Sequence, residues 1–119
     1  MITKPTNAEV RQAIIDECDR VKELLLGKNS QYGNSALEPV RIFSQQTPDE
    51  QLKVRIDDKL CRILRGTNDN EDTVGDIIGY LILLRVHERL YSDAELREAL
   101  KKAVAGIPDE VTPVDTNWR

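Results

Sequence analysis

The sequence predicts an all-α protein: a four-helix bundle-like domain with a long loop between helices 1 and 2 and an extended C-terminal tail. Segments with helical apolar spacing alternate with helix-capping signals, and no convincing pair of strands is present. A chain of 119 residues with 39% hydrophobic and 32% charged residues has the composition of one globular domain. We therefore expect a single all-α domain over residues 1–106 and an extended tail over residues 107–119.

Helix 1 is predicted from about Ala8 to Leu26. Thr6 or Asn7 provides the N-cap, and Gly27 stands where a left-handed C-terminal cap is favoured. The connection to the next helix signal, near Thr47, is then much longer than two helices need. Such a loop is either a connection without a specific role or part of a functional surface.

Helix 2 is opened by a capping box, TPDE at residues 47–50. Pro48 stands at the first helical position, where proline is favoured, and Gly66 closes the helix. These local signals predict one helix from about residue 47 to residue 65.

Helix 3 is predicted from about Glu71 to Tyr91, and a second capping box, SDAE at residues 92–95, opens helix 4, which Gly106 ends. A rival interpretation makes the apolar run at residues 77–84 a buried strand. No partner strand is visible, and a lone strand leaves its edges unpaired, so the helical interpretation is preferred.

Composition excludes several classes of function. A net charge of -4 opposes unspecific binding to phosphate backbones, and an aromatic content of 4% offers few stacking platforms for single strands. Cys18, Cys61 and the one histidine, His87, have no zinc-ligand spacing. The longest apolar run is too short for a bilayer, and the N-terminus lacks a secretory h-region. We expect a cytoplasmic protein without membrane or extended nucleic-acid partners.

The stripe of apolar residues on helix 1 contains a carboxylate. At about 100° per residue, Glu17 falls in the middle of this stripe and is expected to face the core. A carboxylate there is costly without a partner. Two interpretations stay open, a structural ion pair with Lys59 or Arg62 and a functional role. The apolar members of the stripe are Val10, Ala13, Ile14, Val21, Leu24 and Leu25.

Helix 2 carries a positive ridge beside its apolar stripe, formed by Arg55, Lys59 and Arg62. Asp58 lies next to this ridge at helical spacing. The charges either pair with one another on the surface or bind an anionic ligand.

Helix 3 has two occupied faces. The main apolar face holds Val74, Ile77, Ile78, Leu81 and Leu84, and the other holds Asp72, Asp76, Gly79, Leu83 and His87. An apolar Leu83 beside Gly79 predicts that a second helix or subunit packs there, and hence a homo-oligomer. The acids near the helix start either compensate the helix dipole or serve a site.

Three segments together carry a family resemblance: KNSQYGNS (28–35), RIDDKLCRILRG (55–66) and EDTVGDIIGYLILL (71–84). They resemble small phage and prophage proteins of the nucleotide-modification-associated type, which are similar to distant members of the all-α NTP pyrophosphatase (MazG-like) superfamily. The resemblance implies a nucleotide-binding protein of an infected or lysogenic bacterium. If it is an enzyme, the implied reaction is Mg²⁺-dependent hydrolysis of a (d)NTP to the monophosphate and pyrophosphate.

The resemblance also implies a magnesium site, because the superfamily holds Mg²⁺ with E-x-x-E and E-x-x-D acids on two helices. Here Glu17 is followed three residues later by Arg20, and helix 3 offers no E-x-x-D spacing. The reduced set that remains is Glu17, Asp72 and Asp76, three oxygen ligands for one hard cation.

The remaining implied roles concern phosphate chemistry and nucleotide recognition. Lys59 or Arg62 would stabilise the charge that develops during hydrolysis. Tyr32 would stack on a base, while Gly33 allows close approach of the backbone. The alternative for this loop is a plain turn. The candidate ligand-binding residues are Lys28, Tyr32, Gly33, Asn34, Ser35, Arg55 and Asp58.

Two other functions stay open. The incomplete set of acids favours a non-catalytic binder that sequesters a nucleotide or a cyclic nucleotide signal. A helical module that binds a protein partner is the second alternative.

Overall fold

The computed structural model describes residues 3–67 and 71–108. Four helices follow in order, α1 (Asn7–Tyr32), α2 (Pro48–Arg65), α3 (Thr73–Tyr91) and α4 (Ala94–Ala103), and the described residues contain no strand. The all-α, four-helix fold class is thereby confirmed. Most of the predicted tail, from residue 109 onward, lies outside the described residues.

The ends of α2 follow the local signals. Thr47 is the N-cap, Pro48 is the first helical residue, and Gly66 ends the helix in the left-handed conformation, with φ of 70°. The capping boxes were predicted less accurately. Thr47 makes no side-chain cap bond, and the N-cap of α4 is Asp93, not Ser92.

Helix α1 is longer than predicted. Thr6 caps its start, accepting a hydrogen bond from the Glu9 amide at 3.1 Å, but the helix continues through Gly27 and ends at Gly33, which has φ of 64°. The predicted end at Leu26 is wrong. A glycine inside a helix costs only about 1 kcal/mol relative to alanine, so the helix runs on to a glycine whose positive φ stops it.

Helix α3 is the element against which the others pack. Helix α2 runs antiparallel to it, since Lys59 near the end of α2 contacts Asp76 near the start of α3, and Asp49 at the start of α2 lies within electrostatic reach of His87 near the end of α3. Helix α1 runs parallel to α3: Arg20 meets Asp72, and Leu25 packs beside Gly79. A Cβ at Gly79 would lie 3.4 Å from Leu25 Cδ2, at the short end of ordinary van der Waals contact.

The burial of α3 does not follow the two predicted faces, since Ile77 and Leu84 of one and Asp76 and His87 of the other are half-buried. Gly75 and Gly79 are buried and Leu83 is half-buried, whereas Val74 and Leu81, on the predicted main face, are 59% and 48% exposed. The predicted main face is only partly covered, and α1 packs on the side of α3 that carries Gly79. The Gly79 and Leu83 face is therefore occupied within the same chain.

The described residues bury few large side chains. Val21 and Leu52, 3% and 1% exposed, are the buried apolar residues among them, together with the hydroxyl-bearing Thr73 at 2%. The Oγ1 atom of Thr73 has no hydrogen-bond partner in the described part of the chain. In the same part, no helix is long and apolar enough to cross a bilayer.

Candidate functional site

A pocket of about 210 Å³ lies between α1, α3 and the segment that follows α1. The last turns of α1 and residues 33–37 form one wall. Residues of α3 between Gly75 and Leu83 form the opposite wall, and Arg55 of α2 reaches the rim. Leucine side chains and the glycines of α3 make much of the lining apolar, as is common for small-molecule sites.

Most of the predicted ligand-binding residues come together at this pocket. The residues that line it are Lys28, Tyr32, Gly33, Asn34, Ser35 and Arg55. Asp58 does not line it, because its carboxylate lies 3.2 Å from Arg62 Nη2 on the surface of α2. Asp58 and Arg62 therefore pair with each other on the surface, which is one of the two alternatives that the sequence left open for the helix 2 ridge.

The longer α1 explains how the pocket residues are positioned. Lys28 and Tyr32 lie four residues apart in a helix, so they share one side of α1. Gly33 then turns the chain back along the pocket. The Asn29 side chain holds this turn, donating hydrogen bonds to the Gly33 carbonyl at 3.2 Å and to Asn34 Oδ1 at 2.9 Å.

The charges in the lining favour an anionic ligand. Lys28 and Arg55 form no ion pair with any residue that the structure describes. Asp76 also lines the pocket, but its Oδ2 lies 3.1 Å from Lys59 Nζ. The uncompensated charge of the lining is therefore positive.

Four charged side chains between α2 and α3 form what we call the inner cluster: Lys59, Arg62, Glu71 and Asp76. Glu71 accepts hydrogen bonds from Lys59 Nζ at 2.9 Å and from Arg62 Nη1 at 2.8 Å. These bonds, that from Lys59 first, lower the pKa of Glu71, and the bond to Glu71 raises the pKa of Lys59. The Lys59 side chain is only 14% exposed, so the cluster is partly desolvated.

Three charged side chains between α1 and α3 form the outer cluster: Glu17, Arg20 and Asp72. Arg20 Nη2 lies 2.6 Å from Glu17 Oε1 and 3.2 Å from Asp72 Oδ2. The hydrogen bond from Arg20 lowers the pKa of Glu17. Asp72 is also the N-cap of α3, accepting from the Gly75 amide at 3.0 Å.

The expectation that Glu17 faces the core is wrong. Its side chain is 55% exposed, and all residues of α1 from 7 to 20 are exposed. Arg20 is its partner, not Lys59 or Arg62. Arg20 thus joins two of the predicted metal ligands, Glu17 and Asp72.

The three predicted magnesium ligands lie in two different clusters. Glu17 and Asp72 share Arg20, whereas Asp76 holds Lys59. Among the described residues, no group of three or more His, Cys, Asp or Glu side chains is arranged to hold a metal ion. A magnesium ion on these carboxylates would have to displace both cations. Magnesium binding therefore stays a prediction from the resemblance alone.

The sequence-based prediction missed the apolar lining of the pocket and two of its polar residues, Asn29 and Tyr80. An asparagine in the last turn before a glycine was a signal for Asn29, since its amide can hold a turn. Tyr80 lay inside an apolar run and gave no such signal. Comparison with protein-family models, with characterised proteins and with solved structures found no match.

Proposed function

We propose that this protein binds a small nucleotide in the pocket between α1 and α3. The observation that carries the proposal is the pair of cations, Lys28 and Arg55, in the lining of a largely apolar pocket, without acidic partners among the described residues. Such a combination suits a ligand with a phosphate at one end and a flat, weakly polar body at the other.

The phosphate end of the ligand would meet Lys28 and Arg55. The two come from different helices, α1 and α2, so a phosphate between them would connect elements that are otherwise joined mainly through α3. Arginine offers a planar fork for phosphate oxygens and lysine offers a point charge.

The other end of the ligand would lie against the turn at Gly33. Tyr32 provides a ring for a base, and the side chains of Asn34 and Ser35 provide donors and acceptors for a base edge or a sugar. Gly33 has no side chain, so the backbone itself forms this part of the wall, and its positive φ is a conformation that favours glycine.

Binding without cleavage is the form of the proposal that the charges favour. Each acid proposed for magnesium already pairs with a protein cation, and Lys59 and Arg62 point their charges at Glu71. Mg²⁺-dependent hydrolysis of a (d)NTP to the monophosphate and pyrophosphate is the second candidate. It rests on the resemblance to the MazG-like superfamily, with Lys59 or Arg62 stabilising the developing charge.

The proposal includes a homo-oligomer in the cytoplasm of a phage-infected or lysogenic bacterium. The sparse burial of apolar side chains in the described residues supports the oligomer. The host compartment rests on the resemblance.

Calorimetric titration with a panel of nucleoside mono- and triphosphates and cyclic nucleotides, with Mg²⁺ and with EDTA, tests the proposal. Arg55→Gln should weaken binding of the best ligand by roughly 10- to 150-fold, since a hydrogen bond to a charged group contributes about 1.5 to 3 kcal/mol. Lys53→Gln is the matched control, because Lys53 lies on the same helix and pairs with Glu50 on the surface.

The outcomes separate the candidates. Binding that persists in EDTA and weakens only in Arg55→Gln supports the binder. Release of pyrophosphate that requires Mg²⁺ moves the conclusion to hydrolysis. If no member of the panel binds, the nucleotide proposal is wrong, and a protein-binding helical module becomes the better explanation.

A further inference from the structure

One carboxylate, that of Asp76, lines the pocket in the part of the chain that the structure describes. Its side chain is 26% exposed, and its Oδ2 lies 3.1 Å from Lys59 Nζ. Lys59 also donates to Glu71 at 2.9 Å, so two carboxylates share one ammonium group. An ionised carboxylate offers about four lone-pair sites, and a shared lysine does not occupy them all. Asp76 therefore keeps the capacity to accept a hydrogen bond from a ligand.

The pairing of α2 with α3 places Asp76 about one helical turn from the proposed phosphate end of the pocket. The two helices run antiparallel, and Lys59 lies beside Asp76. Arg55 precedes Lys59 by four residues in α2, and Tyr80 follows Asp76 by four residues in α3. Residues at this spacing have Cβ atoms about 5 to 6 Å apart on one side of a helix. A phosphate at Arg55 therefore lies one turn along the wall from the Asp76 carboxylate.

The charge and the size of the pocket fit one phosphate group. A phosphate monoester carries about −1.5 to −2 charges at pH 7, which the two lining cations, Lys28 and Arg55, can neutralise. The volume of about 210 Å³ is below the roughly 300 to 1,000 Å³ of sites for drug-sized ligands. Further phosphates would bring negative charge toward Asp76, and the described lining has no third cation to meet it.

We propose that Asp76 selects the ligand, its carboxylate accepting a hydrogen bond from a hydroxyl or amino group of a nucleoside monophosphate. This inference rests on the proposed function, because it takes the phosphate to lie at Lys28 and Arg55. It adds the class of ligand, which has one phosphate and a donor group about one helical turn away. The donor is a ribose hydroxyl or an amino group of the base. Asp76 thereby becomes a specificity-determining residue.

The inner cluster fixes the position of this acceptor. Lys59 is 14% exposed and joins Asp76 to Glu71, so the Asp76 side chain is attached to the α2 side of the pocket. An ionised carboxylate accepts hydrogen bonds and cannot donate them. It therefore attracts a hydroxyl or an amino group and repels a carbonyl or phosphate oxygen at the same place. Selection of this kind uses repulsion of the wrong ligand as well as attraction of the right one.

Calorimetric titration of the wild-type chain in EDTA tests the class of ligand. The four ribonucleoside monophosphates are titrated first, and the tightest should bind at least about tenfold more tightly than its triphosphate. That nucleotide is then compared with its 2′-deoxy and 3′-deoxy forms and with an analogue whose amino group is a carbonyl, such as inosine for adenosine. One of these analogues should bind roughly 10- to 150-fold more weakly, and it identifies the donor.

The same titrations of Asp76→Asn test the residue. Asparagine keeps the shape of the side chain and removes its charge, so the preference for one phosphate and the preference for the donor should each shrink by about tenfold or more. Glu71→Gln is the matched control, because Glu71 also binds Lys59 but does not line the pocket. Its ratios of affinity should match those of the wild type. The wild-type titrations decide the ligand class even if either variant is unstable.

Several outcomes overturn the inference. These are equal or tighter binding of the triphosphate in EDTA, equal binding of every analogue, and equal changes of the ratios in Asp76→Asn and Glu71→Gln. Triphosphate binding that becomes the tightest only with Mg²⁺ and is lost in Asp76→Asn would assign Asp76 to a metal site instead. In each of these cases, binding that Arg55→Gln weakens leaves the proposed function standing. If no nucleotide binds, the proposed function fails and this inference fails with it.

Discussion

The inner and outer clusters use the same kinds of residue to attach neighbouring helices to the start of α3, but they differ in exposure. Lys59 and Arg62 of α2 meet Glu71 and Asp76 in the inner cluster, where the lysine is 14% exposed. In the outer cluster Arg20 of α1 is 46% exposed. Ion pairs that stay in water contribute little to stability, whereas removing one member of a desolvated set leaves the others without partners.

The difference in exposure means that the two clusters at the start of α3 should contribute differently to stability. The inner cluster should hold α2 on α3, since its carboxylates have lost part of their hydration. The outer cluster should exchange its contacts with water at little cost. The two sets of acids are close in sequence, and burial alone distinguishes them.

The largest effect on stability is expected from Lys59→Met. This substitution keeps the approximate length of the side chain but removes the cation that Glu71 and Asp76 share. The free energy of unfolding should fall by about 1 to 3 kcal/mol, measured by urea denaturation. Lys53→Met, which removes an exposed surface pair with Glu50, should change it little. Equal effects of the two substitutions would mean that the inner cluster is no more structural than the surface.

The pH dependence of stability should come mainly from the inner cluster. The hydrogen bonds from Lys59 and Arg62 lower the pKa of Glu71 in the folded chain. The resulting stabilisation is complete above the ordinary pKa of glutamate, about 4.3, and is lost as the pH falls below it through the lowered value. As the pH is lowered from 7 to 3, the urea concentration at the midpoint of unfolding should therefore fall less steeply in Glu71→Gln than in Glu17→Gln.

Thr73 stands in the sequence between Asp72 of the outer cluster and Asp76 of the inner cluster. Its buried hydroxyl has no hydrogen-bond partner among the described residues. Thr73→Val keeps the shape and removes the unsatisfied group, so the melting temperature should rise, by the equivalent of about 1 kcal/mol. A lower melting temperature would show that the hydroxyl has a partner, such as a bound water.

The smallest effect is expected from Glu17→Gln. Its carboxylate is more than half exposed and its partner Arg20 keeps the contact with Asp72, so the melting temperature should be unchanged. A clear loss of stability would instead indicate that Glu17 is buried in the assembled protein. Circular dichroism at two protein concentrations distinguishes these cases.

The parts of the fold that depend on local signals were predictable from sequence. Thr47, Pro48 and Gly66 set the ends of α2 through their own backbone preferences, which need no tertiary partner. The end of α1 was misplaced because Gly27 and Gly33 both suit a helix end, and only the folded chain shows which takes a positive φ.

The parts that depend on helix arrangement were not predictable. Both sides of α3 are apolar, so periodicity alone does not choose which side meets α1; in the folded chain Leu25 of α1 lies against the side that carries Gly79. Polar composition and resemblance identified Lys28, Arg55 and the turn at Gly33, which now line one pocket. The pairing of Arg20 with Asp72 crosses two helices, and a single sequence contains no sign of it.

The cap at the start of α3 has a consequence for how this sequence can change over time. A side chain at Gly75 would collide with the Asp72 carboxylate, which bonds the Gly75 amide and Arg20. Any residue with a Cβ at position 75 therefore requires the Asp72 side chain to shift from its present position. Substitutions at the two positions should be coupled: the effect of alanine at position 75 should depend on which side chain stands at position 72.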